Sequence, residues 1–235
     1  MKTLICIFAF NEGERIKNTL ARTMKAGYPQ KDIDVMIADD GSVDGSLKNI
    51  PKGILLLRNK VNMGIGNMMK KVFQYSIDKQ YDTLVILAGN NKDCPDEISR
   101  LLDKINEGYD YVQGSRFMEG GVYGNTPIYR IFATKFVHPM LCSLVTGQWL
   151  TESSNGFRAI RTGVLKDKNI NWNQSWLDKY QLEIYILIKA IQLGYKHIEV
   201  PVTKIYPNKK VTKMNIFGWW HMLEAPIYLW LGVKK

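Results

Sequence analysis

Residues 84–98 read L-V-I-L-A-G-N-N-K-D-C-P-D-E-I. An apolar run (Leu84, Val85, Ile86, Leu87) stops at Ala88-Gly89, and a polar cluster follows: Asn90, Asn91, Lys92 and Asp93. Pro95 then opens a helix with Asp96 and Glu97 in its first turn. A buried strand that ends in polar residues and passes into a helix is the repeating unit of an open α/β sheet. Such a sheet presents ligand groups at its carboxyl edge.

The same unit recurs on the N-terminal side. Residues 3–9 (T-L-I-C-I-F-A) are a short apolar run, hence a buried strand, and Asn11-Glu12 sit at its end. Residues 12–26 are expected to be helical, closed by Gly27-Tyr28-Pro29. Residues 33–38 form the next strand and run into Asp39-Asp40-Gly41-Ser42-Val43-Asp44-Gly45-Ser46. Residues 53–57 are a third strand, 58–66 a loop and 67–78 a helix with an apolar face. Strands alternating with helices predict a mostly parallel sheet with helices on both faces. Neither G-x-G-x-x-G nor G-x-x-x-x-G-K-[ST] occurs, which argues against a dinucleotide fold or a P-loop.

On the C-terminal side the pattern loosens. Residues 111–116 predict a strand, and Gly120-Gly121 and Gly124-Asn125 a loop. Residues 127–149 form an amphipathic helical region broken near Pro139. Residues 155–161 read as a strand, 177–193 as a helix ended by Gly194, and 197–206 as a strand whose Pro201 favours a sheet edge. Residues 214–233 are rich in Trp and apolar residues, with Lys234-Lys235 after them.

At 235 residues and 46% hydrophobic, the chain can bury one large core. Its net charge of +10 points to an anionic partner (nucleic acid, a membrane surface or a phosphorylated ligand) or serves solubility alone. Cys6, Cys94 and Cys142 form no C-x-x-C pair and read as the reduced thiols of a cytosolic protein; three scattered histidines give no zinc pattern. The first residues lead straight into a strand, with no signal-peptide h-region. No apolar run reaches the roughly 20 residues that span a bilayer; residues 131–150 come closest, interrupted by Lys135, His138, Pro139 and Gln148.

Seven segments in order resemble the motifs of the family 2 glycosyltransferases of GT-A fold: F-A-F-N-E (8–12), A-D-D-G-S-V-D-G-S (38–46), N-M-G-I-G-N (62–67), G-S-R with G-G and Arg130 (114–116, 120–121), E-S-S-N-G-F-R-A (152–159), E-V-P-V (199–202) and T-K (212–213). Within that family they are most similar to the polyprenyl-phosphate (dolichyl-phosphate) sugar transferases. The resemblance implies an α/β fold of GT-A, Rossmann-like type, with a mostly parallel sheet flanked by helices and a C-terminal amphipathic helix. It implies a glycosyltransferase domain over 1–213, with a nucleotide-sugar half (1–116) and an acceptor half (117–213), and a helical tail at 214–235. The activity implied is inverting transfer of a hexosyl group from a UDP- or GDP-linked sugar to a polyprenyl phosphate or lipid-linked glycan, in cell-surface glycan synthesis.

By the same resemblance, Phe8, Ala9, Asn11, Glu12, Asp39, Asp40, Gly64, Asn67, Gly89 and Asn90 surround the nucleotide. Carboxylates accept bonds from a base N–H or ribose hydroxyls, and one sequence leaves Asp39 and Asp40 interchangeable. Gly64 and Gly66 either let the backbone approach the nucleotide or serve only their turn. Lys92, Arg116, Arg130 and Lys213, with Arg158, are expected to meet phosphate groups.

The family's metal motif, D-x-D, falls on Ala88-Gly89-Asn90, so both of its aspartates are replaced. Asn90 and Asp93 are the remaining candidate ligands for Mg2+ or Mn2+, and Lys92 could neutralise a diphosphate in their place. A phosphate acceptor needs no general base; a sugar hydroxyl would need one, with Glu152, Asp178 and Glu183 as candidates. Asp93, Arg116, Arg158, Glu152 and Glu183 are thus the expected catalytic group. Aromatics and lysines in 127–149 and 217–230 suit either an interfacial helix on the inner membrane surface or packing on the sheet or in a dimer. The protein is expected on the cytoplasmic face, peripheral, with a possible membrane partner protein. The rival readings are a nucleotide-binding protein that has lost catalysis and, on charge alone, a nucleic-acid binder, for which no recognition motif exists.

Overall fold

The computed structural model describes residues 1–207 and 216–234, with the side chains of 216–219 excepted. Strands β1 (Thr3–Ala9), β2 (Ile33–Asp39), β3 (Ile54–Arg58) and β4 (Thr83–Ala88) alternate with helices α1 (Glu14–Lys25) and α2 (Ile65–Asp78). Next come α3 (Ile98–Asn106), β5 (Tyr111–Ser115), β6 (Val122–Gly124), α4 (Ile128–Phe132), a π-helical turn (Ala133–Val137) and α5 (His138–Thr146). The chain continues through β7 (Arg158–Arg161), α6 (Thr162–Lys166), α7 (Gln181–Gln192), β8 (His197–Pro201), β9 (Thr203–Ile205) and α8 (Ile216–Trp230).

The main sheet has seven strands in the order β3-β2-β1-β4-β7-β5-β8. All neighbours are parallel except β7, which runs antiparallel to both β4 and β5. β6 and β9 form a separate parallel pair. β1 and β4 are buried along nearly their whole length, as strands covered on both faces must be. Side chains alternate between two cores. Leu4, Cys6, Phe8, Leu84 and Ile86 join α2 and α7 on one face; Ile5, Ile7, Val85 and Leu87 join α1 and α3 on the other.

This topology makes the site. From β1 the chain steps outward to β2 and β3, then returns to the other side of β1 as β4. Ala9 lies opposite Asp39, and Phe8 opposite Ala88, so three carboxyl ends open level with one another. That is a topological switch point, where open sheets form their ligand crevice.

Several expected boundaries shift. The helix expected over 177–193 begins only at Gln181, after a single 3-10 turn at Ser175–Leu177. The break near Pro139 is the π-helical turn just before it: proline has no N–H to donate to the preceding turn. Pro201 ends β8, the edge strand of the main sheet, as its residue type favours. α8 packs against α7 and α5, and among the described residues no helix is long and apolar enough to cross a membrane.

Candidate active site

A cleft of about 740 Å³ opens over the ends of β1, β2 and β4. Among the described residues, six cations line it (Arg15, Lys92, Arg116, Arg130, Lys179, Lys204) against three carboxylates (Glu12, Asp40, Glu183). Of the residues expected around a nucleotide, Phe8, Ala9, Glu12, Asp40, Gly64 and Asn90 line the cleft. Asn11, Asp39, Asn67 and Gly89 do not, and each has a structural occupation instead.

Asp39 is fully buried; it accepts bonds from the Ser42 N–H and hydroxyl and is ion-paired to Arg58 at 2.9 Å. Asp40 is the aspartate at the cleft, but it also organises the next loop. Its Oδ1 accepts from Asn59 Nδ2 (2.7 Å) and Met63 N (2.9 Å), and its Oδ2 from Gly64 N (2.8 Å). Asn11, in the left-handed region, clamps the same turn: its N–H donates to Ser42 Oγ and its Oδ1 accepts from Val43 N. Asn67 donates its backbone N–H to Asp178 O at 3.0 Å. A Cβ on Gly66 would lie 2.1 Å from Leu177 O, and one on Gly64 2.5 Å from Asp178 O. The two glycines therefore admit the 177–179 backbone.

The turn after β4 is held from both sides. Gly89 N donates to Phe8 O at 2.8 Å, and a Cβ at Gly89 would lie 2.7 Å from Ile16 Cδ1. Asn91, at positive φ, accepts from Arg22 through Oδ1 and donates its N–H to Thr19 Oγ1. On the other side Ile205 N donates to Lys92 O.

Asp93 is not where a metal ligand or catalytic acid belongs. It is buried, and its Oδ1 takes the Lys204 ammonium at 2.6 Å. Lys204 Nζ also donates to Asn155 Oδ1 at 2.8 Å. Asn90 faces the cleft, but its Oδ1 accepts from Lys92 N at 3.2 Å. A divalent cation needs several oxygen ligands. No group of three His, Cys, Asp or Glu side chains assembles among the described residues, and the donor set expected at this turn does not form. The expected Mg2+ or Mn2+ site therefore does not fit the residues present.

Cations gather there instead. Lys92 Nζ lies 4.0 Å from the centre of the Tyr206 ring, and the Arg130 guanidinium lies 5.6 Å from the same centre. Arg130 Nη1 donates to Tyr206 Oη at 3.3 Å. Burial, with Lys204 and Arg130 nearby, pushes the Lys92 ammonium down to about 8.

Two more expected ligands are paired inside the protein. Arg116 and Glu152 form a buried two-point ion pair (Nε–Oε2 2.7 Å, Nη2–Oε1 3.0 Å). Glu152 is thus no general base and does not reach the cleft. Arg116 does, with the Tyr206 hydroxyl beside it. Arg158 is buried away from the cleft, donating to Tyr111 Oη, Asn155 O and Glu183 Oε2. It is a positioning residue for Glu183, which does face the cleft. Asp178 is held by Lys70 at 2.6 Å. Lys213 falls outside the described residues.

Lys204 and Tyr206 escaped the sequence reading. A signal was present: Lys204 is two residues from Val202, a position that alternation turns inward, and both are buried. A lysine on the buried face of a strand calls for an acid partner.

Beyond the cleft, α4, the π-helical turn and α5 have two unlike faces. Arg130 and Thr134 turn to the cleft. Ile128, Phe132, Phe136, Met140 and Leu144, four residues apart, are exposed, as is Trp149.

Residues 4–167 match the model of the family described as Glycosyl transferase family 2. Among relatives, the chain is 28% identical over 221 residues to polyprenol monophosphomannose synthase of Mycolicibacterium smegmatis, covering 91% of this chain and 81% of that one. It is 26% identical to undecaprenyl-phosphate mannosyltransferase of Micrococcus luteus (92% and 88% covered). Among solved structures, glucosyl-3-phosphoglycerate synthase of Mycobacterium tuberculosis, crystallised with Mn2+, uridine diphosphate and glucosyl-3-phosphoglycerate, superposes with a TM-score of 0.67. That likeness, at 15% identity over 98% of this chain and 79% of the other, shows a shared fold.

Proposed function

Since the chain belongs to glycosyl transferase family 2 and is a glycosyltransferase of GT-A fold, we propose that it moves a sugar from a nucleotide-sugar to a polyprenyl phosphate at a membrane surface. One observation carries this reading. A single helical region presents Arg130 to the cationic cleft on one side and an apolar stripe (Ile128, Phe132, Phe136, Met140, Leu144) to solvent on the other. A lipid phosphate needs both, a cation for its head and an apolar surface at its tail. The two relatives named for polyprenol and undecaprenyl phosphate support the same acceptor class.

Residues 1–116 take the nucleotide-sugar in this proposal, with Glu12 and Asp40 toward the nucleoside, and 117–213 the acceptor. The acceptor's phosphate oxygen attacks the anomeric carbon and the nucleoside diphosphate leaves from the opposite face, inverting that centre. Such an acceptor is already a nucleophile, so the protein's part is to align two anions and stabilise the departing charge. The apolar stripe and the +10 charge favour docking on an anionic cytoplasmic leaflet.

A second reading follows from Glu183, a cleft carboxylate held by Arg158. If the acceptor were a sugar hydroxyl, Glu183 would take its proton. Rate measurements on Glu183→Gln separate the two. With a phosphate acceptor the loss is expected to stay below about tenfold, whereas loss of a general base would cost about 10²–10⁴-fold.

Radiolabelled nucleotide-sugars offered with polyprenyl phosphate in anionic vesicles test the proposal directly. The expected result is labelled lipid, lost in Asp40→Ala, and vesicle co-sedimentation lost in the Phe132→Asp/Phe136→Asp double variant. Full transfer by Asp40→Ala would sink the assigned site; undiminished co-sedimentation of the double variant would sink the membrane face.

A further inference from the structure

We infer that this chain binds the diphosphate of its donor without a divalent cation, through Lys92, Lys204 and Arg130 gathered at the turn after β4. The inference rests on the nucleotide-sugar reading above. It begins with what the turn lacks and what has come in its place. Ala88-Gly89-Asn90 brings no carboxylate to the end of β4. The next acid, Asp93, is buried and neutralised by Lys204. From this turn an ion would take Asn90's amide oxygen as its side-chain ligand, with Lys92 and Lys204 close by, and like charges at such range repel.

The cations are held in place. Lys204 uses two of its three N–H donors on Asp93 and Asn155, and the residue still lines the cleft. Lys92 and Arg130 share the Tyr206 ring, which fixes both against the same strand end. The backbone bond from Ile205 to Lys92 O ties the turn to β9, so Lys92 and Lys204 stand on adjacent, bonded segments.

A further cation stands in the same lining. Arg116, almost wholly buried, is held by Glu152 on Nε and Nη2 and has the Tyr206 hydroxyl beside it. It lines the same cleft as Lys92, Lys204 and Arg130 and adds to the positive charge there. Ammonium and guanidinium groups bond phosphate oxygens directly, so the departing diphosphate can be neutralised by protein charge alone.

Calorimetric titration of the full chain with UDP and with GDP, in EDTA and in Mg2+ or Mn2+, tests this. The nucleotide that binds is expected to do so in EDTA within about threefold of its affinity with metal. Lys92→Met, checked for an unchanged melting temperature, is expected to weaken binding in EDTA by about tenfold, the loss of one charge-assisted bond. The double variant Ala88→Asp/Asn90→Asp is expected to bind more weakly in EDTA and to recover on adding Mn2+. Binding of the unaltered chain that falls tenfold or more in EDTA overturns the inference, and so does unchanged binding by Lys92→Met. If neither nucleotide binds in either buffer, the nucleotide-sugar reading itself is overturned and this inference falls with it.

Discussion

Two turns open at the carboxyl edge of the sheet on either side of β1, one after β2 and one after β4, and they are built on opposite charges. After β2, two carboxylates hold the chain: Asp39 grips Ser42 and Arg58, and Asp40 grips Asn59, Met63 and Gly64. After β4, an ammonium does: Lys204, 111 residues further along, is drawn onto Asp93. The lesson is that most acids near this cleft build the scaffold, while cations are what the scaffold presents.

Asp93→Ala breaks that contrast most severely. It leaves the Lys204 charge buried with Asn155 as its remaining partner among the described residues. Removing one member of a buried pair costs about 3–5 kcal/mol, so urea unfolding should show a loss of that size. An unchanged midpoint would mean that the turn does not depend on the pair.

Acid titration sharpens the contrast, because two histidines are held neutral in the folded chain at pH values where the unfolded chain protonates them. His138 is buried between Ser153 Oγ (2.6 Å) and Met222 O (3.1 Å). A carbonyl only accepts, so Nε2 carries the proton of the neutral ring and Nδ1 accepts from the hydroxyl. Burial pushes His138 and His197 down to about 4, from an ordinary 6.5. Above pH 6.5 both folded and unfolded rings are neutral and nothing changes. As pH falls below 6.5 the unfolded chain takes up protons that the folded chain refuses, so stability declines until about pH 4. At 1.36 kcal/mol per unit, His138 accounts for about 3 kcal/mol at most. Thermal melts from pH 7.5 to 4.5 should fall steadily, and His138→Gln should flatten the curve.

Gly66→Ala is the gentlest of the three. Its Cβ would meet the Leu177 and Lys179 carbonyls, and overpacking of this kind costs about 1–3 kcal/mol. The expected result is a lowered melting temperature together with weaker nucleotide binding, because the loop held by Asp40 must move. A loss of stability with nucleotide affinity intact would separate that loop from the nucleotide.

The strands were legible because a doubly covered sheet demands uninterrupted apolar runs, and 3–9 and 83–88 have them. The direction of β7 was not: four residues carry no orientation, which depends on where β4 and β5 lie. The motifs were legible, but the pairings between them were not. Arg116 and Glu152, 36 residues apart, are bonded to each other, and only Arg116 of the two lines the cleft. Arg158 is likewise paired with Glu183, and Asp93 with Lys204, and in each pair one member lines the cleft. Local sequence shows a charge but not its counter-charge. Asp39 and Asp40 make the point at shortest range: adjacent in sequence, they point to opposite sides of the strand end, so only Asp40 reaches the cleft.

The two-faced helical region also sets a distance. A helix with its side chains is roughly 10 Å across. With the Phe132 and Phe136 face resting in the interface, Arg130 on the other face stands about one helix diameter above it. A polyprenyl phosphate then has to lift only its head group, while its chain stays among its neighbours. In the docking proposed above, encounter between enzyme and acceptor becomes lateral diffusion in two dimensions, and the acceptor's surface density, rather than its bulk concentration, sets how often the cleft is filled.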